Sequence, residues 1–187
     1  RKGRDWKYPV IIDNMMNLEH LCNAGSIFND YSLKVVAVTH ANTTMCNHFR
    51  PDYTSWHLVD YDPESGEVRK KETVQGFSDD SAWARGQAWA LYGFTMMFRE
   101  SGHDSYLTQA RNVADMLLSR LPEDGVPYWD LDSDKIPNDL RDASAAAIMA
   151  SAFVQLSTLT DDEASNAKYL AMAEKQLRTL CLLYTSP

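Results

Sequence analysis

Asp13 stands in the run IIDNMMNLEH (residues 11–20), with Ile11 and Ile12 before it and Met15 and Met16 after it. A carboxyl group in apolar surroundings has its pKa raised and keeps its proton near neutrality, as a general acid must. Asp is also a preferred helix N-cap, and this stretch alone fits either role. A second group of residues lies in SAWARGQAW, where Arg85 and Trp89 are four apart and share a helical face with Ala88 and Tyr92. A guanidinium offers a planar fork to a carboxylate and an indole offers a flat apolar face, a combination that suits a sugar acid. Trp83, two positions from Arg85, points elsewhere on a regular helix or projects from its first turn. The competing reading is an ion pair of Arg85 with Asp79 or Asp80 beside a core tryptophan. His57, in TSWHLVDY, and Gln75, in TVQGF, flank a hairpin and are placed to face the start of the same helix.

Other constellations carry less. His40 and His48 are eight apart with no third ligand in view, and the three cysteines, Cys22, Cys46 and Cys181, have neither paired spacing nor an even count. No metal site and no cofactor is expected. A Gly-rich phosphate loop and a nucleophile elbow are both missing from the sequence. Ser144, in RDASAAAIMAS, reads as a site residue or as a helix-capping serine. The net charge of −8 without a basic stripe argues against nucleic acid as a partner. No window approaches the ~20 apolar residues of a membrane span.

The elements that must position these residues are mostly helical, and they repeat. IIDNMMNLEHLCNAG reads as a helix ending near Gly25, followed by NDYSLKVVAVTHANTTMCNHF. SDDSAWARGQAWALYGFTMMFRE reads as a long helix capped by Ser78 or Asp79 and stopped by Gly102. It is followed by DSYLTQARNVADMLLSRL, with Tyr106, Ala110, Val113, Leu117 and Leu121 on one stripe. RDASAAAIMASAFVQLS then pairs with DDEASNAKYLAMAEKQLRTL. The three first helices begin at acidic residues, Asp13, Asp79 or Asp80, and Asp142, roughly 63 to 66 positions apart. They are rich in small and apolar residues, whereas their partners carry the charge, which predicts inner helices wrapped by outer ones. A β-hairpin near 56–75, turning at PESG, and a Pro- and Asp-rich loop, PEDGVPYWDLDSDKIPNDLRD, lead into inner helices. Such loops are where a binding site is built.

Taken together, DNMMNLEHL, HANTTMCNHFR, HLVDYDPESGEV, SAWARGQAWALYGF, PYWD and RDASAAAIMASA resemble the unsaturated glucuronyl hydrolases, glycoside hydrolase family 88. The resemblance runs to about Leu180. It implies an all-α fold, an α/α toroid of six helical hairpins, of which about three are visible here. It implies as substrates oligosaccharides that end in a 4,5-unsaturated uronic acid, the products of polysaccharide lyases. The implied reaction is hydration of the C4=C5 double bond, with an aspartic acid protonating C4 and water adding at C5. The hemiketal formed then opens and releases the neighbouring sugar. By matching, Asp13 is the general acid and base, and His57, Gln75, Arg85 and Trp89 are substrate-binding residues with Thr73 and Trp83 beside them. No metal, no organic cofactor and no obligate protein partner is implied. Val74 stands where the family often has His, and Cys22 and Asn23 replace aromatic residues. The related rhamnogalacturonyl hydrolases and a non-catalytic carbohydrate-binding helical repeat remain as alternatives.

The chain begins at Arg1 and is expected to be a piece of a longer protein. Residues 1–180 are expected to form a partial toroid, and 181–187, where CLLYTSP breaks the helical pattern, a truncated or non-native tail. The family's second essential aspartate is expected upstream, so the isolated 187 residues are expected to be inactive and open-sided. The compartment, bacterial cytoplasm or periplasm, stays open.

Overall fold

The computed structural model describes residues 4–185. The elements run β1 (Tyr8–Ile11), a 3-10 helix (Ile12–Asn17), α1 (Leu18–Ile27), α2 (Tyr31–Asn47), β2 (Leu58–Tyr61), β3 (Val68–Glu72), α3 (Ala84–Ser101), α4 (Asp104–Arg120), α5 (Ala143–Leu156) and α6 (Glu163–Thr185). The described residues are thus mostly helical, in six α-helices, with one small antiparallel sheet. The helices come as three consecutive pairs. α3 lies between α1 and α5 and also packs on α4 and the 3-10 helix. Eleven of its 18 residues are buried, which marks it as a central helix and not a surface one. α4 presents one buried stripe that includes Tyr106, Ala110, Val113 and Leu117. Phe94 meets Tyr106 across α3 and α4, and Phe153 stacks on Tyr169 across α5 and α6, so aromatic side chains tie the second and third pairs together.

The hairpin at 58–72 acquires a third strand that the periodicity did not reveal. β1 pairs antiparallel with β2, Ile11 opposite Leu58 and Tyr8 opposite Tyr61. The ladder continues one step further, where the Ile12 N–H donates to the His57 carbonyl at 2.9 Å. Asp60 is fully buried at the centre of this sheet, and accepts from the Lys7 and Tyr8 N–H groups at 2.9 Å and from Arg69. These contacts staple the chain entering β1 to β2.

Two boundaries differ from expectation. Residues 11–25 are not one helix, because the backbone of Tyr8–Ile11 is spent on β2 and the chain then tightens into a 3-10 helix. Asp13 lies inside that 3-10 helix, and the N-cap position belongs to Ile11, without a side-chain cap. Nor does α3 start at Ser78 or Asp79. It starts at Ala84, because the backbone just before it pairs with the loop after α4. The Leu131 N–H donates to the Ala82 carbonyl at 2.9 Å and the Ala84 N–H to the Trp129 carbonyl at 3.0 Å. Asp142 and Gly102 do terminate helices as their types dictate. Asp142 caps α5, and Gly102, at φ 70°, ends α3 in the left-handed conformation. α6 continues through 181–185, past the point where the helical pattern fades, and residues 1–3, 186 and 187 of the termini lie outside the described residues.

Candidate active site

The strand register builds the site's first pair. Asp13 follows β1 by two residues and His57 precedes β2 by one, so the antiparallel pairing of Ile11 with Leu58 brings them face to face. Their closest atoms, Asp13 Oδ2 and His57 Nε2, are 3.9 Å apart. Neither atom has a hydrogen-bond partner, although both are shielded from solvent. Burial raises the Asp13 pKa, against the opposing pull of its own backbone hydrogen bond and of the Arg85 charge. Burial, reinforced by the Arg85 charge, lowers the His57 pKa to about 4. The imidazole is therefore neutral near pH 7.

Which nitrogen of His57 carries its proton follows from the hydrogen bonds. Nδ1 accepts from the N–H of Val74 at 3.1 Å and of Gln75 at 3.3 Å. A backbone N–H can only donate, so Nδ1 is the bare nitrogen and Nε2 bears the hydrogen. The Thr73 hydroxyl lies 3.3 Å from Nδ1 and accepts from the Gly76 N–H at 2.8 Å. The segment 73–77 is held in turn by acidic side chains. Asp79 Oδ1 accepts from the Thr73 N–H at 2.8 Å, and fully buried Asp130 accepts from the Phe77 N–H at 2.9 Å and from the Ser81 hydroxyl at 2.7 Å. Gly76 is fixed by this crowding, since a Cβ there would sit 2.6 Å from the Thr73 hydroxyl.

Trp83 is buried with its ring 4.5 Å from that of His57, and the Arg85 guanidinium lies 4.8 Å from the Trp83 ring on its way toward the site. Arg85 donates to Ser144 at 2.9 Å and to the Gln75 side-chain oxygen at 3.3 Å, and lies 3.4 Å from Asp142 Oδ2. The ion pair proposed from sequence with Asp79 or Asp80 is therefore replaced by one with Asp142, from α5. Trp89 lies one turn further along α3, its ring edge-on to Tyr92. It lines a groove of about 450 Å³ with Met16, Asn17, Glu19, Tyr92 and Ile148. Six of the seven candidates, Asp13, His57, Thr73, Gln75, Trp83 and Arg85, thus meet in one linked cluster, whereas Trp89, one turn from Arg85, lines that groove, to which none of the six contributes.

A larger concavity, about 670 Å³, lies elsewhere, between α2 and the sheet, and contains none of these residues. Its lining includes Tyr8, Val10, Val35, Val36 and Tyr61 with His40 and Asp62, none of them among the seven candidates; the shielded, unpartnered Asp13 Oδ2 opposite His57 marks the site better than size does. Among the described residues no group of three or more His, Cys, Asp or Glu is arranged to hold a metal ion. Asp79 and Asp142, read from sequence only as helix starts or, for Asp79, as an Arg85 partner, and Asp130, not singled out at all, support the cluster. Only Asp142 left a usable signal, the capping pattern of RDAS.

No family model matches the chain. A curated protein of Formosa agariphila, an unsaturated glucuronyl hydrolase, is 49% identical over 177 residues, which cover 94% of this chain and 43% of that protein. The crystal structure of an unsaturated glucuronyl hydrolase specific for heparin superposes with a TM-score of 0.91 at 46% identity, covering 96% of this chain and 48% of that one. Over nearly its whole length the chain is similar to the unsaturated glucuronyl hydrolases. It spans under half the length of the curated relatives it matches. A variant of the unsaturated glucuronyl hydrolase of Streptococcus agalactiae complexed with dGlcA-GalNAc6S is also similar, at a TM-score of 0.79 and 33% identity over 90% of this chain and 45% of that one.

Proposed function

We propose that the protein carrying this sequence hydrates the C4=C5 double bond of a terminal 4,5-unsaturated glucuronic acid on oligosaccharides released by polysaccharide lyases. The observation that carries the proposal is the Asp13 carboxyl, raised in pKa by burial, with its shielded Oδ2 free of any hydrogen-bond partner and opposite a neutral imidazole. Asp13 in its protonated form delivers the proton to C4. The resulting carboxylate then accepts a proton from the water that adds at C5. Loss of the C5 hemiketal by ring opening frees the neighbouring sugar without direct displacement at the anomeric carbon. Arg85 meets the acid or hydroxyl groups of the uronate with its planar fork and Trp89 provides an apolar face for the sugar, while buried Trp83 backs Arg85 and His57. His57 offers Nε2–H as a donor beside Asp13, and Thr73 and Gln75 hold the loop that sets its tautomer. The same reading takes the three helix pairs as half of a six-hairpin α/α toroid, with a second essential aspartate elsewhere in the full-length chain.

The test is the fate of heavy oxygen. Unsaturated chondroitin and hyaluronan disaccharides are incubated with the full-length protein in ¹⁸O water, with absorbance of the double bond followed in parallel. Loss of absorbance with label at the C5 position is the expected result. Retained absorbance with label at the anomeric carbon would mean ordinary glycoside hydrolysis and would overturn the proposal.

A further inference from the structure

Asp142 is 9% exposed at the start of α5, and its two oxygens face different partners. Oδ1 caps the helix, accepting from the Ala145 N–H at 2.9 Å, and also accepts from the Ser144 hydroxyl at 2.6 Å. Oδ2 faces Arg85 Nη1 at 3.4 Å. Ser144 completes a relay, because the same hydroxyl that donates to Asp142 accepts from Arg85 Nη1 at 2.9 Å. Gln75 holds the other terminal nitrogen from the opposite side, at 3.3 Å. The guanidinium is thus gripped from α5 and from the loop after β3 at once, at the mouth of the cluster that contains Asp13.

We propose that Asp142 is a positioning residue for the reaction: it fixes the Arg85 guanidinium from across the α3–α5 interface and sets how strongly that charge acts on the Asp13 carboxyl. A lone exposed ion pair at 3.4 Å would do little. Here the carboxylate is buried, and a relaying hydroxyl anchors the guanidinium a second time, so two contacts restrict the fork. The charged and titratable groups facing the pair are few. Asp13 is faced by His57 from the sheet and by Arg85 from α3, and Arg85 is faced by Asp142 from α5. Arg85 lowers the pKa of both Asp13 and His57. Loss of the Asp142 charge leaves Arg85 uncompensated and draws the Asp13 pKa further down.

This inference rests on Asp13 being the acid, and the division of labour between the two oxygens makes it separable from folding. Asp, Asn and Ser are comparable N-caps, so Asp142→Asn and Asp142→Ser keep the α5 cap and remove the charge. In the full-length protein both variants are expected to melt near the wild-type temperature, to lose about tenfold to a hundredfold in kcat/KM, and to shift the alkaline limb of the pH–rate profile to lower pH. With Arg85→Met as background, Asp142→Asn should add almost nothing, because the effect runs through Arg85. Carboxyl NMR titration of Asp13 reads the same coupling without turnover, with the Asp13 pKa expected to fall in both cap-keeping variants. Wild-type kinetics, an unmoved Asp13 titration, or losses that simply add to those of Arg85→Met would overturn the role of Asp142 while leaving the proposed reaction standing. Failure of the wild-type protein to hydrate unsaturated uronates would instead remove the proposed function, and the titration would still decide the coupling.

Discussion

At the scale of single residues, burial gives the Asp13 carboxyl a cost in the fold. Its pKa is raised by burial, so the folded state holds the proton that the unfolded chain has already released. Ionising it in the fold therefore costs stability as pH rises above the ordinary carboxylate range. Asp13→Asn removes that cost together with the acid. We expect the variant to lose about 10²–10⁴ in rate, yet to be at least as stable as wild type at pH 7, with the stability difference vanishing at low pH. Denaturant midpoints measured at pH 4 and pH 7 alongside turnover check both halves, and an Asn variant with near-normal turnover would demote Asp13 to a structural role. His57 behaves oppositely. Its pKa is lowered from 6.5 to about 4, so its contribution is fully present above the unfolded value and is lost as pH falls between those two values. The loss amounts to on the order of 3 kcal/mol. His57→Asn keeps an acceptor for the Val74 and Gln75 N–H groups but has no donor toward Asp13, whereas His57→Gln reaches toward Asp13 and abandons those amides. The Asn variant should keep the fold and lose catalysis; the Gln variant should loosen residues 73–77, visible as faster amide hydrogen exchange. Equal exchange in the two variants would refute the anchoring by Nδ1.

At the scale of elements, the 3-10 helix that carries Asp13 rests directly on α3. A Cβ at Gly93 would stand 2.4 Å from the Met15 Cβ, a backbone-adjacent atom that cannot swing away. Gly93→Ala should therefore push residues 12–17 off α3, destabilising by about 1–3 kcal/mol and lowering activity more than stability alone explains. Gly86→Ala, with Ile12 Cγ2 at 3.1 Å, should be milder. A thermal melt and a rate for each decide it, and a silent Gly93→Ala would mean that the contact is not what seats the acid. Helices α3 to α6 could be read from sequence, because their apolar periods are long and Gly102 and Asp142 punctuate them in the usual way. The short segments resisted. Nothing local in YPVIIDNMMN says that its first residues pair with a strand some fifty positions later. The start of α3 was displaced for the same reason, since the competing partner of residues 82–84 is the loop at 129–131. The site followed the same division. The candidates Asp13, His57 and Arg85 stand out by type and motif, whereas Asp130 and Asp142 hold Phe77 and Arg85 from more than fifty positions away, and Asp79, six positions from Thr73, shows only a capping signal.

At the scale of the whole molecule, apolar surface is concentrated at the two ends of the row of helix pairs. Ile27, Phe28 and Tyr31 are each more than 70% exposed around the α1–α2 turn, and Val35 and Val36 extend the patch along α2. At the other end Val154, Leu170 and Leu177 are exposed on α5 and α6. Soluble monomers seldom leave contiguous patches of this kind uncovered, and in a closed ring of hairpins the ends of the row would be buried. The 187-residue chain expressed by itself should therefore self-associate and lack hydration activity. Sedimentation velocity is the direct check, and a well-behaved active monomer would contradict the toroid reading. α3 is the element least tolerant of change in either setting. Phe94→Ala, at its fully buried centre against Phe49 and Tyr106, should cost about 3–5 kcal/mol.

The imidazole of His57 is oriented by two peptide N–H groups and not by any side chain of residues 74 and 75. Information about the tautomer is therefore stored in the main chain, where most substitutions cannot reach it. Position 74 is free to drift among side chains of any chemistry, valine included, without disturbing the ring. Proline is the exception, because it alone deletes the donor. A library at this position should consequently look permissive at nineteen residues and fail at one, a mutational fingerprint that separates an anchor made of backbone from one made of side chains.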